Sequence, residues 1–258
     1  VTRNNESGNM LDKAAHILEC FTPDVESYRL SELARCTGLP KPTVHRLTAD
    51  LVRLGWVERS GTRYRLGAKL FELGSRVPRR RDLREVALPF LQDLFEATRE
   101  TVHLGVREGL EVVYLERIHG HDALRLPSRI GGSLPLSCTA VGKALLAFSG
   151  AELTEELLSR PLPSLTPRSL TDPALVRAAL EKTQVAGLAY EEEEAVEGVS
   201  CIAAPVFAGG VTVAALSVAV PRERFSAARL APAVRTAAIG LSRVLREGRR
   251  TEDGARFG

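Results

Sequence analysis

The sequence predicts an α+β chain of two domains: a winged helix-turn-helix, then an antiparallel sheet with helices to one side or both ends. Three observations carry this. Two short amphipathic segments joined at Gly38 precede a run that alternates with period two around Ser60-Gly61. Beyond an amphipathic stretch at 82–100 the apolar period changes from helical to alternating, with hairpin signals at Glu108-Gly109 and Gly209-Gly210. Charge is split as well: residues 1–81 hold 15 Lys/Arg against 9 Asp/Glu, while 82–258 hold 20 against 23. The length of 258 residues favours two modest domains, and 44% hydrophobic content is enough to build cores in both.

Residues 1–8 are polar and are expected to lack structure. A first helix is predicted over 9–21, with Leu11, Ala14, Ala15 and Leu18 on one side, and 23–28 form a loop. Leu30, Leu33 and Ala34 mark one face of a second helix, and Gly38 supplies a turn where positive φ is cheap. Pro42 is expected to open the third helix at its first position, where a missing N–H costs nothing. Val44, Leu47, Leu51 and Leu54 form its buried face. Segments 56–59 and 62–66 make the hairpin, or wing. Leu66, Leu70, Phe71 and Leu73 mark a short apolar helix over 67–74, suited to docking on the winged domain or on a partner chain. Pro78 and Arg79-Arg80-Arg81 mark a linker. Its arginines read as a solvated stretch, with non-specific phosphate contact as the sharper alternative.

Residues 82–100 carry Leu83, Val86, Ala87, Phe90, Leu91, Leu94 and Phe95 on one helical face, with a kink expected at Pro89. Strands are predicted at 102–106 and 111–115, with a third candidate at 123–126. A loop at 131–137 leads into a helix at 138–148. Helices follow at 151–159 and 173–185, the second with Asp172 as N-cap and Pro173 at its first position. Strands 199–207 and 211–220 flank Gly209-Gly210. A last helix, 226–246, presents Leu230, Ala233, Val234, Ala237, Leu241 and Val244. The organisation is therefore 9–74 for the winged domain, 75–100 for linker and linker helix, and 101–248 for the second domain.

The basic end coincides with the helix-turn-helix, the electrostatic footprint expected for phosphate contact. The four cysteines, Cys20, Cys36, Cys138 and Cys201, form no C-x-x-C pair. This argues against a disulfide framework or a zinc ribbon and for a reducing, cytoplasmic setting. No signal-peptide pattern and no apolar run of membrane-span length appears, so no membrane partner is expected. His119 and His121 stand two apart, a spacing too weak to argue a metal site, and no cofactor is expected.

Three stretches together resemble one family. They are Leu11-Asp12-Lys13-Ala14 with Gly38-Leu39-Pro40-Lys41-Pro42-Thr43-Val44-His45-Arg46-Leu47; Gly132-Ser133-Leu134-Pro135-Leu136 through Ala140-Val141-Gly142-Lys143-Ala144-Leu145-Leu146-Ala147; and the stretch Glu193-Glu194-Ala195-Val196-Glu197-Gly198-Val199-Ser200-Cys201-Ile202-Ala203-Ala204-Pro205-Val206. The chain resembles the IclR family of bacterial transcriptional regulators over residues 9 to 247. The resemblance implies a winged helix-turn-helix joined by a linker helix to a GAF-like effector-binding domain. It also implies a homodimer, commonly paired into a dimer of dimers, on a pseudo-palindromic double-stranded DNA operator, tuned by a small organic acid.

Lys41, Pro42, Thr43, His45 and Arg46 occupy the first turns of the reading helix, where such motifs reach base edges. Arg46 suits a fork onto guanine, and His45 and Thr43 suit bases or phosphates. Lys41 and the helix N-terminus suit a phosphate. Arg59, Arg63 and Arg65 on the wing suit the flanking backbone or minor groove. The family usually has a small polar residue where Pro42 stands, which removes a phosphate contact here. For the effector, Ser137, Cys138 and Thr139 begin a helix after a glycine loop and offer free N–H groups to a carboxylate. The resemblance adds Leu126, Leu134, Ala140, Val141, Glu191, Val199, Cys201 and Ser217. Ala219 replaces a serine that occurs in the family, which favours an aromatic or larger acid over glyoxylate-like ligands.

Two other functions compete. A cysteine enzyme would use Cys138 or Cys201 as nucleophile with His103, His119 or His121 as base. It leaves the N-terminal module unexplained, so no catalytic residue is expected. An architectural DNA binder without an effector would use the second domain only for assembly.

Overall fold

Asn9 sets the start of α1 (Met10–Glu19). Its side chain accepts from the N–H groups of Leu11 and Asp12, while Asp12 accepts from the Asn9 N–H, a reciprocal capping box. The structure is a computed structural model that describes residues 9–22, 25–120 and 126–254. The chain divides into two compact units between Arg81 and Asp82. The lead-in over 1–8 lies outside the described residues.

In the first unit, α1 is followed by β1 (Tyr28–Arg29), α2 (Leu30–Thr37) and α3 (Lys41–Arg53). Then come β2 (Val57–Ser60), β3 (Arg63–Leu66) and α4 (Ala68–Ser75). Gly38, at φ 69°, ends α2 in the left-handed region, so the chain can turn at once into α3. The three strands pair antiparallel in the order β1-β3-β2. Ile17, Leu33, Val44, Leu47, Leu51 and Val57 form one core beneath the helix-turn-helix.

Four expectations for this unit change. The buried face of α1 centres on Ile17 and Cys20, and Leu11 is 79% exposed. The helix is turned by about 100°, one residue's step, from the side the periodicity favoured. Lys41 is the first residue of α3 and Pro42 the second, with Pro40 as N-cap; the missing N–H is still one that has no acceptor within the helix. Leu54 lies past the end of α3 and is 47% exposed, because Gly55 turns the chain away at positive φ. Finally, Cys20 and Cys36 are joined as a disulfide. Their separation in sequence hid this, but packing of α1 on α2 brings their Cα atoms to 6.2 Å. No residue of α4 is buried, and Phe71 is 82% exposed.

The second unit takes in most of α5 (Pro78–Thr98), which runs through Pro89 as one helix. It continues with β4 (Thr101–Glu108), β5 (Glu111–Ile118), β6 (Ser133–Pro135), α6 (Ala140–Ala147), α7 (Ala151–Leu158) and α8 (Pro173–Ala186). It closes with β7 (Ala189–Glu192), β8 (Val199–Ala208), β9 (Val211–Pro221) and α9 (Ala227–Gly254). Among the described residues the sheet has six antiparallel strands in the order β6-β5-β4-β9-β8-β7. The pleat gives it two faces. Val102, Leu104, Ile202, Leu216 and Val218 pack against Ala87, Leu91 and Leu94 of α5 and Leu230, Val234 and Leu241 of α9. Val112, Ala203 and Ala215 point the other way, toward α6, α7 and α8. This is the α+β architecture expected.

Differences are local. Segment 133–135 is a strand, because Leu134 pairs with Val112 on β5. A 3-10 turn, Leu136–Cys138, precedes α6, so that helix begins at Ala140 rather than 138. Strand β7, too short and polar to show an alternating pattern, follows the left-handed Gly187 cap of α8 and pairs with β8. Val244 is exposed. Of the third candidate strand only Leu126 is described, and it is in no strand; the rest of it and His121 lie outside the described residues, as do the side chains of 78–81.

Candidate nucleic-acid interface and buried cavity

The inner face of α3 is apolar and buried, so its outer face is set by elimination. Lys41, Pro42, His45 and Arg46 are exposed and Thr43 is half-buried, over buried Val44, Leu47, Thr48 and Leu51. The side chains of Lys41, His45 and Arg46 make no ion pair or hydrogen bond among the described residues. Lys41 and His45 lie one turn apart, as do Pro42 and Arg46, so two cations and an imidazole face outward together without a side-chain partner among the described residues.

The wing arginines are engaged instead. Arg63 donates Nε to Ser27 Oγ at 2.8 Å and Nη2 to Ser27 O at 2.6 Å, with Glu32 3.6 Å away. Arg65 donates Nε and Nη2 to Glu58 Oε2 at 2.9 and 2.7 Å and holds that carboxyl below its ordinary range. Glu58 and Arg65 are partners in the hairpin register, a signal the alternation around Gly61 already contained. Arg59 donates to Gly61 O at 3.0 Å and lies over the Tyr64 ring. These wing residues are charged, but two of the three already have carboxylate partners.

In the second unit a cavity of about 30 Å³ lies on the α6 face of the sheet. Leu126, Leu134, Thr139, Ala140, Val141, Glu191, Val199, Cys201 and Ser217 line it. Ser137 and Cys138 do not. They are buried in the 3-10 turn, where the Cys138 thiol donates to Pro163 O at 3.4 Å. His103, Tyr114, Pro127, Ser128, Ala195 and Val196 also line the cavity, as does Ala219. His103 and Tyr114 gave no local signal. They arrive because His103 pairs with Ser217, and Gly105 with Tyr114, across neighbouring strands.

His103 is fully enclosed, with Nε2 2.8 Å from Ser128 Oγ and Nδ1 3.3 Å from Ser217 Oγ. Burial, then the charges of Arg117 and His119, pull its pKa down to about 3, so the imidazole is neutral and has one donor and one acceptor nitrogen. Burial pushes the Tyr114 hydroxyl far up, so it stays a phenol, hydrogen-bonded to Thr139. Glu191 Oε1 accepts from the N–H groups of Glu194 at 2.5 Å and Ala195 at 3.1 Å. Burial nevertheless raises this carboxyl to about 7.

Thr139 caps α6 by accepting from Gly142 N at 2.9 Å. Its neighbours Ala140 and Val141 have N–H groups with no acceptor inside the helix, and both line the cavity. Gly142 permits this arrangement: a Cβ there would lie 2.1 Å from Leu136 O. No lysine or arginine lines the cavity among the described residues. Lys143 is buried beside it but faces Glu194 and Tyr190 O.

Nucleophilic chemistry is poorly served here. Burial pushes both the Cys138 and Cys201 thiols up, and the Cys201 thiol is raised further by Glu191 rather than activated by a histidine. Among the described residues no group of three or more His, Cys, Asp or Glu is placed to hold a metal ion. No helix among them is long and apolar enough to cross a membrane.

Comparison with known proteins matches these two units separately. The family described as the IclR helix-turn-helix domain matches residues 10–61, and that described as bacterial transcriptional regulator IclR C-terminal matches residues 76–243. The HTH-type transcriptional regulator XynR of Escherichia coli is 35% identical over 242 residues, covering 91% of this chain and 96% of its own. The glycerol operon regulatory protein of Streptomyces griseus is 34% identical over 257 residues, 96% of this chain and 100% of its own. Among solved structures, an IclR homologue of Microbacterium hydrocarbonoxydans complexed with 4-hydroxybenzoate superposes with a TM-score of 0.84 at 34% identity. It covers 93% of this chain and 100% of that one. The Thermotoga maritima IclR structure gives 0.74 at 31%, covering 92% and 99%. With a third helix that leaves Lys41 and Arg46 free on its outer face, a cavity on the helical face of the second sheet, and family matches over both units, the chain belongs to the IclR family of bacterial transcriptional regulators, which are not enzymes.

Proposed function

We propose that this regulator binds a pseudo-palindromic operator as a homodimer, or a dimer of dimers, in the cytoplasm, and that a small carboxylic acid in the second-unit cavity tunes it. On the DNA side, Arg46 reads a base edge, His45 and Thr43 reach bases or phosphates, and Lys41, the first residue of α3, meets a phosphate beside Pro42. Arg59, Arg63 and Arg65 contribute to the flanking backbone, the last two after exchanging Glu32 and Glu58 for phosphate. Half-sites lie about 34 Å apart, one DNA turn.

On the ligand side, the Ala140 and Val141 N–H groups at the positive end of α6 suit a carboxylate in a cavity without a cation. Leu134, Val141 and Val199 give apolar walls, and Ala219 leaves them less polar. His103, Ser128 and Ser217 offer neutral hydrogen bonds at another wall. An aromatic hydroxy acid fits this chemistry, and the Microbacterium homologue was crystallised with one. The present cavity has room for about one water. A ligand therefore enters as the stretches 126–128 and 195–196 part.

One observation carries the coupling. Strand β4 sends His103 into the cavity while Val102 and Leu104, on either side of it, pack against the layer that holds Leu91 and Leu94 of α5. A ligand that spreads the cavity must move the strand on which the linker helix rests. Calorimetric titration with 4-hydroxybenzoate, other aromatic acids, pyruvate and glyoxylate tests the ligand class, and binding of only the two- and three-carbon acids overturns it. Footprinting with and without the bound acid tests the coupling, which fails if affinity and footprint are both unchanged.

A further inference from the structure

Two side chains of the first unit that are distant in sequence, Cys20 and Cys36, meet between α1 and α2. Cys20 caps the end of α1 and is buried, whereas Cys36 lies in the last turn of α2 and is exposed. Their Cα atoms are 6.2 Å apart and their sulfurs are joined. The bond therefore has one member inside the core of the first unit and one at its surface, where a reductant or an oxidant can meet it.

The other two cysteines differ. Cys138 and Cys201 are in the second unit, free of any disulfide, with thiols pushed up by burial. The exposed Cys36 is the thiol that reaches solvent.

We propose that Cys20 and Cys36 are a reversible thiol–disulfide pair through which hydroperoxides act on the DNA-binding unit, a second input beside the effector cavity. Its effect on operator binding rests on the reading of α3 as the recognition helix. The Cys36 thiolate attacks one peroxide oxygen and breaks the O–O bond. This gives Cys36 sulfenic acid and an alkoxide, which picks up the proton that Cys36 released to solvent on ionising and leaves as alcohol, or as water from hydrogen peroxide. Cys20 sulfur then attacks Cys36 sulfur and displaces hydroxide, which leaves as water with the Cys20 proton. Two thiols have lost two electrons and the peroxide has gained them. A dithiol reductant reverses the change by exchange.

The consequence follows from the core. Ile17 of α1, Leu33 of α2 and Val44 of α3 belong to one cluster, so pinning α1 to α2 also steadies the seat of α3. The cross-link closes a separation of 16 residues and so restricts the unfolded chain. The oxidised form is the more stable and the tighter binder.

The test uses the full chain treated with hydrogen peroxide or with dithiothreitol, then denatured and alkylated for intact mass. Reduced protein takes up four alkyl groups and oxidised protein two, while Cys36→Ser takes up three in both. The melting transition of the first unit is expected to rise by about 5–10 °C on oxidation of wild type and to stay fixed in Cys36→Ser. Operator affinity is expected to fall at least fivefold on reduction, to the level of Cys36→Ser in either reagent. Four alkyl groups after peroxide, or equal melting and equal affinity in the two states, overturns the proposal. If neither state binds DNA, the reading of α3 fails, and alkylation with melting still decides the redox pair.

Discussion

Lys143 Nζ lies 2.5 Å from Glu194 Oε1, with the two side chains only 3% and 8% exposed. The pair ties α6 to the bend after β7, the two stretches that bring Ala140, Val141 and Glu191 to the cavity. Lys143 also donates to Tyr190 O at 3.0 Å, yet Glu194 Oε2 is buried without a partner among the described residues. Burial accordingly pushes the Glu194 carboxyl up against the pull of Lys143. Lys143→Met strands the carboxyl and should cost about 3–5 kcal/mol in urea unfolding of the second unit. Adding Glu194→Gln should return a large part of that loss, because the penalty comes from an unpaired charge rather than a missing contact. A double variant as unstable as the single would refute this account.

Glu191 makes stability depend on pH. Its ordinary value is 4.5 and burial raises it to about 7 in the fold. Between those values the folded chain holds a proton that the unfolded chain has released. Stability is therefore highest below the lower value and declines as pH rises through the window, by about 2–3 kcal/mol. Glu191→Gln should lack this contribution. The stability difference between variant and wild type, from denaturant melts at pH 4.5 to 7.5, should grow with pH in favour of the variant.

Arg46 and Arg65 should separate in a gel-shift titration at fixed salt. Arg46 has no partner to give up, and Arg46→Ala should cost about 1–3 kcal/mol and relax sequence preference. Arg65 must first leave Glu58, so Arg65→Ala should cost less and weaken all sequences alike. Equal losses of affinity and specificity would contradict the assignment.

Gly142→Ala tests how the α6 N-terminus is positioned. The added methyl would sit 2.1 Å from Leu136 O, a backbone atom with no side-chain freedom to yield. A loss of about 1–3 kcal/mol is expected from overpacking, together with weakened binding of any carboxylic acid that uses the Ala140 and Val141 N–H groups. Retained acid affinity in a destabilised variant would show that the ligand does not use that helix end.

Helix α3 was legible because its rule is local. Val44, Leu47 and Leu51 take the inner face, and Lys41, His45 and Arg46 are what remains outside. Residues of the cavity such as Glu191, Cys201 and Ser217 came from the family resemblance and not from any periodicity. Ser137 and Cys138 lay one turn off, since a 3-10 turn leading into a helix has the same apolar content as the helix itself. The partners of the wing arginines were harder to see. Arg63 reaches Ser27, 36 residues away, across a strand pairing that a two-residue strand cannot announce.

Sequence by itself determined the winged helix-turn-helix, the α+β character of the second unit, and which charges stay outside on α3. These depend on periods of two and 3.6 residues, on glycine turns and on caps, all of which act over a few neighbours. Only the tertiary structure decided that Cys20 meets Cys36, that His103 and Tyr114 enter the cavity, and that Lys143 is spent on Glu194. Each of those joins side chains that are distant in the chain and become neighbours only when helices pack or strands take a register, which no local pattern encodes.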